Sequence, residues 1–234
     1  MFYLYQKQNN WRMKEYYVKV LETSYINHDV KRFIVEKPEG YAFVPGQGTE
    51  VSINLPGWED KLRPFTFTSL NAWPYLEFTI KIYKGHNGVT EQLGKTNAGA
   101  ELILHEVFGT IIYKDPGVFI AAGAGITPFI AIFRDLFNRD ILGGNKLILS
   151  NKTSEDIIYG QELNYMLGRN FINVFTRQGV IGFMDRRIDR RYLVETIHDF
   201  SGDFYVCGPD LFVKEINKDL LSLGVTPDTL IFEQ

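Results

Sequence analysis

The chain has 234 residues, and its 25 Lys and Arg against 28 Asp and Glu give a formal net charge of −3. A nucleic-acid-binding domain normally carries a surplus of basic residues on one face, so this balance argues against one. A single cysteine, Cys207, excludes an intrachain disulfide, a four-cysteine zinc site and a cysteine-ligated iron–sulfur cluster within these residues.

The first twelve residues, 1–12, are predicted to form a loosely attached extension, and they lack the pattern of a secretory signal. The uncharged stretch 116–133 has nearly the length of a membrane span. Two glycines and a proline interrupt it, so a buried strand, a tight turn and a buried helix explain it better. The sequence therefore predicts a soluble, cytoplasmic protein without a membrane span.

The first half of the chain is predicted to consist of short strands, rich in β-branched and aromatic residues and separated by Gly and Pro turns. The predicted strands are 16–23, 31–36, 50–55, 65–69, 76–83 and 101–107. Many short strands at this spacing are typical of a sandwich or a small antiparallel barrel.

An arginine, an aromatic ring and a hydroxyl follow one another closely in Arg63, Phe65 and Thr66. This combination suits a planar anionic ligand, because the guanidinium can pair with a phosphate while the ring stacks. An ordinary strand edge explains the same residues equally well. Further on, residues 88–90 begin a short predicted helix, whose N-terminus is available to an anion.

The second half changes to short apolar strands that alternate with helices, after a break near residues 113–117. Strands are predicted at 118–122, 146–150, 171–176, 204–207 and 230–232, and helices at 127–138, 156–167, 190–197 and 209–223. The alternation predicts a parallel, doubly wound sheet. The predicted domains are therefore 13–113 and 114–234.

A glycine turn follows the first strand of this half. It contains Gly123 and Gly125, and Pro128 suits the first turn of the next helix. The backbone N–H groups of Gly125, Ile126 and Thr127 are predicted to be free to bind a phosphate. A tight strand–helix turn without any ligand is the alternative interpretation.

Cys207, Gly208 and Pro209 lie where a later strand meets its helix. Ligands of open α/β sheets bind at such carboxyl ends, although a lone cysteine is by itself most simply a small buried apolar residue. The four histidines are scattered without metal-binding spacing, so no metal site is predicted.

Taken together and in this order, these segments resemble the ferredoxin–NADP⁺ reductase superfamily, especially its flavodoxin/ferredoxin reductase and cytochrome b5 reductase branches. The resemblance extends over about residues 13–234. It implies a two-domain protein, in which an antiparallel β-barrel that binds FAD is followed by an α/β Rossmann-like domain with a parallel sheet that binds NAD(P)H.

The resemblance also assigns residues to the flavin. Arg63 would neutralise an FAD phosphate, Phe65 would stack on the flavin where relatives usually have Tyr, and Thr66 would place a hydroxyl near flavin N5. Backbone groups of residues 80–82 would contact the flavin or its ribityl chain, and residues 88–90 would bind the pyrophosphate. The further residues assigned to FAD are Pro64, Ile80, Lys81, Ile82, Gly88, Val89 and Thr90.

The nicotinamide nucleotide is assigned to the second half. Thr176 and Arg177 resemble a pair that binds the 2′-phosphate of NADPH, whereas Phe183 stands where many relatives have a second arginine. The balance slightly favours NADPH over NADH. The other assigned residues are Gly123, Gly125, Ile126, Thr127, Pro128, Cys207, Gly208 and Pro209. The catalytic group implied by the resemblance is Thr66, Cys207 and Glu233.

The implied activity is that of an FAD-dependent oxidoreductase, which passes hydride from NAD(P)H to the flavin and then single electrons to a separate acceptor. Flavodoxin, ferredoxin, a haem protein or a small molecule could accept them. Two alternatives stay open. One is a free-flavin or metal-chelate reductase, and the other is a non-catalytic flavin- or nucleotide-binding module.

Overall fold

The computed structural model of this chain describes residues 14–109, 111–179 and 185–232. The predicted extension at residues 1–12 and the candidate residues Phe183 and Glu233 lie outside the described residues.

Six antiparallel strands form the first half, in the order β4-β3-β6-β1-β2-β5. The two end strands meet, because Phe67 bridges Phe78 and the Thr68 N–H donates to the Glu77 carbonyl at 2.8 Å. The sheet thus closes into the predicted barrel. Its strands are β1 (Tyr16–Tyr25), β2 (Val30–Glu36), β3 (Gly48–Ile53), β4 (Arg63–Thr66), β5 (Tyr75–Lys81) and β6 (Glu101–Phe108).

The barrel interior is filled by side chains that alternate along the strands. On β5, Leu76, Phe78 and Ile80 point into the barrel core, as expected from the period of two of a strand. A short helix, α1 (Val89–Lys95), adds Val89 and Leu93 to the same core. These two residues lie four apart and therefore share one helix face.

The second half is a parallel sheet in the order β11-β10-β7-β8-β9. Helices α2 and α3 contribute Phe133 and Leu163 to one buried cluster, while α4 and α5 contribute Leu193 and Ile216 to another. The sheet is thus doubly wound, as predicted. Its elements are β7 (Gly117–Ala122), α2 (Thr127–Asn138), β8 (Lys146–Asn151), α3 (Gly160–Leu167), β9 (Phe171–Phe175), α4 (Arg190–Thr196), β10 (Asp203–Cys207), α5 (Asp210–Ser222) and β11 (Leu230–Phe232).

One predicted helix is wrong at its start. Instead of a continuous helix over 156–167, a 3-10 turn at Ser154–Asp156 is followed by Tyr159 in the left-handed conformation, with φ 52°, and only then by α3. Local periodicity does not predict this break. The Tyr159 hydroxyl reaches the barrel, 3.2 Å from the Thr79 Oγ1, so a tertiary contact accompanies the unusual backbone.

The stretch 116–133, which had the length of a short span, forms β7, a turn and the start of α2. Among the residues that the structure describes, no helix is both long enough and apolar enough to cross a bilayer.

Candidate active-site cleft

A cleft of about 860 Å³ lies between the barrel and the carboxyl end of the parallel sheet. Its volume falls within the range of roughly 300–1,000 Å³ that is usual for ligand sites. Strands β3, β4 and β5 form one wall, and the turn after β7, the turn after β10 and helix α5 form the other.

Ten of the residues predicted from the sequence line this cleft. They come from three barrel segments and from two turns of the parallel sheet. They are Pro64, Phe65, Thr66, Ile80, Lys81, Thr90, Thr127, Pro128, Cys207 and Gly208. The structure therefore brings together motifs that are up to 144 residues apart, from residue 64 to residue 208.

The other predicted residues between positions 14 and 232 that the structure describes do not line the cleft. Some neighbour the lining residues in the chain, whereas Thr176 and Arg177 follow β9, the edge strand of the sheet. Both donate their N–H groups to the chain at the end of β8, to the Asn151 and Lys152 carbonyls. The remaining members of this set are Arg63, Ile82, Gly88, Val89, Gly123, Gly125, Ile126 and Pro209.

Ile82 was predicted to contact the flavin through backbone groups. Its side chain is 4% exposed in the barrel core, and its N–H donates to the Asp29 carbonyl at 2.7 Å. That backbone donor is therefore already satisfied in this structure. The neighbouring Lys81 does line the cleft, while its Nζ forms an ion pair with Asp29 Oδ2 at 2.8 Å.

The barrel wall presents the arginine, the ring and the hydroxyl of β4. Arg63 is exposed, and its guanidinium donates to the carbonyl of its neighbour Leu62 at 2.7 Å. Phe65 is half-buried at the edge of the barrel core. Thr66 donates its hydroxyl across the cleft to the Thr127 Oγ1 at 2.8 Å.

The opposite wall depends on a close approach of two turns. A Cβ atom on Gly125 would lie 2.4 Å from the Cys207 carbonyl oxygen, so no side chain fits there. Gly208 has a φ of 159° and lies directly after Cys207, which is 7% exposed. Packing between the turns is thus sufficient to explain Gly125 without any ligand.

The prediction that the backbone N–H of Thr127 is free to bind a phosphate is wrong. Residues Gly123–Ile126 form a 3-10 turn, and the Thr127 N–H donates to the Ala124 carbonyl. The tight turn therefore uses a donor that was expected to be available to a phosphate. The Thr127 hydroxyl also donates to the same carbonyl, at 3.0 Å.

A buried polar network lies beside the cleft, where the barrel meets α2 and α3, and sequence reasoning missed it. Arg134 and Glu77 are 9% and 3% exposed, and they form an ion pair at 2.7 Å. Burial by itself would lower the pKa of Arg134, but hydrogen bonds and charges from Glu162 and Glu77 raise it overall. A charged residue inside the apolar pattern of α2 was the only signal in the sequence.

Helix α5 supplies four further cleft residues that the motifs did not include, Asp210, Val213, Lys214 and Asn217. The apolar pattern of this helix predicted its buried face but did not distinguish the polar residues beside it. Tyr83 and Glu50 line the barrel wall in the same way and lie outside the motifs.

The residues of the cleft fit a flavin and a nicotinamide nucleotide. Phe65, Thr66 and Cys207 line one volume, and an exposed guanidinium lies on the same strand as Phe65 and Thr66. FAD would be held by the barrel wall at Phe65 and Thr66, and the nicotinamide by the wall at Cys207.

Comparisons with known proteins agree with this architecture. Residues 119–218 match the family model described as "Oxidoreductase NAD-binding domain". The chain resembles the glycine betaine monooxygenase reductase subunit of Chromohalobacter salexigens, with 25% identity over 94% of this chain and 63% of that protein. It also resembles the reductase component of propane 2-monooxygenase from Rhodococcus jostii, with 27% identity over 84% of this chain and 56% of that protein.

A solved structure shares the fold over nearly its full length. It is a ferredoxin NADP⁺ reductase from Neisseria gonorrhoeae with bound FAD and NADP, with a TM-score of 0.81 and 21% identity. The alignment covers 94% of this chain and 98% of that one.

The barrel and the doubly wound sheet form the same two-domain fold as that solved structure. The fold and the match of residues 119–218 to an oxidoreductase NAD-binding domain confirm the predicted resemblance to the ferredoxin–NADP⁺ reductase superfamily. The chain spans about three fifths of the length of the curated relatives named above.

Proposed function

We propose that this chain binds FAD, takes hydride from NAD(P)H and passes single electrons to a separate acceptor. The observation that carries this proposal is the position of Thr66 and Cys207. One residue belongs to the barrel and the other to the parallel sheet, yet both line the same cleft. Hydride transfer needs the two reacting rings in contact, which a cleft between two binding units achieves.

The barrel side would hold the flavin. Arg63, exposed at the start of β4, would pair with a phosphate, and Phe65 would pack against the ring. Thr66 would present its hydroxyl, whose oxygen keeps lone pairs while its hydrogen bonds to Thr127. Of residues 88–90, Thr90 lines the cleft. FAD, when bound, supplies the capacity to accept a hydride and to release electrons singly.

The sheet side would hold the nicotinamide nucleotide. Cys207 and Gly208 lie at the carboxyl end of β10, next to the glycine turn that precedes α2. Dinucleotides bind doubly wound sheets at this edge. The resemblance assigns Thr176 and Arg177 to a 2′-phosphate, and Arg177 is exposed after β9. On this basis we propose a slight preference for NADPH.

The acceptor would be a separate redox group. The relatives named above are reductase components of oxygenases, and the 234 residues of this chain contain one cysteine, too few for a cysteine-ligated cluster. A ferredoxin, a flavodoxin or a haem protein would serve, as would a small molecule. The cytoplasmic location stays a prediction from the sequence.

An anaerobic absorbance titration with NADH and NADPH in parallel tests the proposal. We expect the purified protein to carry flavin absorbance that bleaches on addition of nucleotide, more readily with NADPH. Colourless protein that oxidises NAD(P)H only with added flavin would support the free-flavin reductase instead. Bound flavin that stays oxidised with both nucleotides would contradict the proposal and support a binding module.

Replacing Cys207 by alanine tests the sheet side. We expect Cys207→Ala to retain FAD and to be reduced more slowly by the preferred nucleotide, because Cys207 lines the cleft where the nicotinamide is proposed to bind. Rapid mixing without oxygen measures this rate. An unchanged rate would show that Cys207 has no role in hydride transfer.

A further inference from the structure

One arginine joins the two halves of the molecule beside the cleft. On the barrel side, the Arg134 Nη1 donates to the Thr68 carbonyl at 2.6 Å and to Glu77 Oε1 at 2.7 Å. On the other side, its Nε and Nη2 donate to the two carboxylate oxygens of Glu162 in α3, at 2.6 and 2.9 Å. The guanidinium therefore connects β5, α2 and α3.

Arg134 shares a helix face with the cleft residue Thr127. The two lie seven residues apart on α2, which is close to two turns, so both point toward the barrel. Thr127 accepts a hydrogen bond from Thr66 on β4 at 2.8 Å. Helix α2 thus contacts the barrel at the cleft itself and again two turns further on, through the Arg134 ion pair.

Tyr159 makes a second contact between the parallel-sheet half and the barrel. The Tyr159 hydroxyl, just before α3, lies 3.2 Å from the Thr79 Oγ1 and donates to Glu77 Oε1 at 3.3 Å. Thr79 lines the cleft and also contacts Thr68 at 3.1 Å. The network around Glu77 therefore extends to the cleft wall on the barrel side.

We propose that Arg134 is a positioning residue for hydride transfer. By holding α2 against β5, it sets the separation of the cleft wall at Thr66 from the wall at Cys207. This inference rests on the proposed function, since the separation of these walls matters only if the reacting rings meet between them. Small changes in such a distance have large effects on rate, whereas they have little effect on binding at either wall.

The chemistry of the site favours arginine over lysine. The guanidinium is a planar fork with five donors, which serves the Glu162 carboxylate on one edge and the barrel acceptors on the other. A lysine keeps the positive charge, but its three N–H donors share one nitrogen, so it cannot reach both the Glu162 carboxylate and the barrel acceptors as the guanidinium does. Arg134→Lys therefore loosens the contact of α2 with β5 and α3, and it leaves the buried Glu77 and the partly exposed Glu162 with a cation.

The test compares Arg134→Lys with Arg139→Lys, a matched control at the exposed end of α2. In anaerobic rapid mixing at saturating nucleotide, we expect Arg134→Lys to reduce its flavin about 10–100-fold more slowly, in line with the cost of a small misplacement. Flavin content and the dissociation constant of the nucleotide should stay near those of the wild type. Arg139→Lys should reduce at the wild-type rate.

Hydrogen exchange provides a second measurement, which needs neither flavin nor turnover. We expect faster amide exchange in α2 and β5 of Arg134→Lys than in the wild type or in Arg139→Lys. Unchanged exchange and an unchanged rate in a folded Arg134→Lys protein would overturn the inference. A fall in nucleotide affinity or flavin content with an unchanged limiting rate would overturn it as well, because the residue would then serve binding.

If Arg134→Lys does not fold, Glu162→Gln takes its place. This substitution weakens the contact of Arg134 with α3 and leaves its contacts with the barrel intact. We expect a smaller fall in the limiting rate and faster exchange in α2, and wild-type values for both would overturn the inference. A wild-type protein that neither nucleotide reduces would contradict the proposed function alone. The exchange measurement would still decide whether Arg134 holds α2 against the barrel.

Discussion

Gly125 shows how a single residue can be demanded by packing between two turns. An added Cβ would lie 2.4 Å from the Cys207 carbonyl oxygen and 2.6 Å from the Gly208 Cα. Both obstacles are backbone atoms, which cannot swing aside as the end of a side chain can. The glycine that a nucleotide-binding turn needs for close approach to a phosphate is needed here for close approach to another turn.

Replacing Gly125 by alanine should therefore destabilise the protein. We expect a loss of about 1–3 kcal/mol in the free energy of unfolding, the usual cost of overpacking. The nicotinamide nucleotide should also bind more weakly, since the turn at Cys207 must shift. Urea unfolding and nucleotide titration measure the two effects. Gly143→Ala is the control, because that glycine is surrounded by open space, and equal unfolding midpoints in the two variants would contradict this prediction.

We expect Arg63 to be needed for FAD binding and to contribute little to the free energy of unfolding. Its guanidinium is exposed and donates to the carbonyl of the adjacent Leu62, so its removal leaves no buried group unpaired. We expect Arg63→Ala to be purified largely without FAD and to unfold at nearly the wild-type urea midpoint when both are compared as apoprotein. The exposed Arg169→Ala should keep its flavin. Full flavin content in Arg63→Ala would rule out its predicted role.

At the scale of elements, α4 depends on its cap. This helix has only seven residues, too few to be stable alone, and packing of Tyr192 and Leu193 holds it in place. The Asp189 carboxylate accepts the Tyr192 N–H at 2.8 Å, which satisfies one of the open donors of the first turn.

Asp189→Ala should cost about 1 kcal/mol of unfolding free energy, the typical value of an N-cap side chain. Asp189→Asn should be close to the wild type, because asparagine caps a helix about as well. Chemical denaturation measures both variants. If they are destabilised equally, the charge of Asp189 and not its hydrogen bond is what matters.

Most elements followed from local patterning. The helix predicted at 127–138 coincides with α2, and the strand predicted at 230–232 coincides with β11. Burial of one face imposes these periods on the sequence, so they can be recognised without the fold. The start of α3 could not be recognised, because Tyr159 has a left-handed backbone and its hydroxyl contacts Thr79, a residue 80 positions away that no local period includes.

At the scale of the whole molecule, burial raises the pKa values of tyrosines in both halves of the chain. Burial raises the pKa of Tyr41 in the barrel and of Tyr205 in the parallel sheet to about 12. The pKa of Tyr159 at the junction rises to about 12 for the same reason, with the charge of Glu77 adding to it.

These tyrosines should make the protein less stable at high pH. The folded pKa lies above the value of 10.0 in the unfolded chain, so their contribution is complete below pH 10 and is lost as pH rises toward 12. We expect Tyr41→Phe to be less stable than the wild type at pH 8, since a 2.7 Å hydrogen bond to the His105 carbonyl is lost.

That difference should shrink between pH 10 and pH 12, because phenylalanine has no proton to lose. Urea unfolding at a series of pH values measures it. Tyr165→Phe, at a side chain that is 78% exposed, should differ little from the wild type at any pH. A Tyr41→Phe difference that is constant across this range would contradict the prediction.

Local sequence patterns were enough to predict a barrel-forming half, a doubly wound half and the motifs around Phe65, Thr66 and Cys207, since each depends on residues close together in the chain. Which of these motifs line one cleft depends on how the barrel packs against the parallel sheet, because those motifs lie far apart in the chain. The tertiary structure alone revealed the pairing of Arg134 with Glu77, 57 residues away. Such contacts are polar and long-range, and no local period of the sequence encodes them.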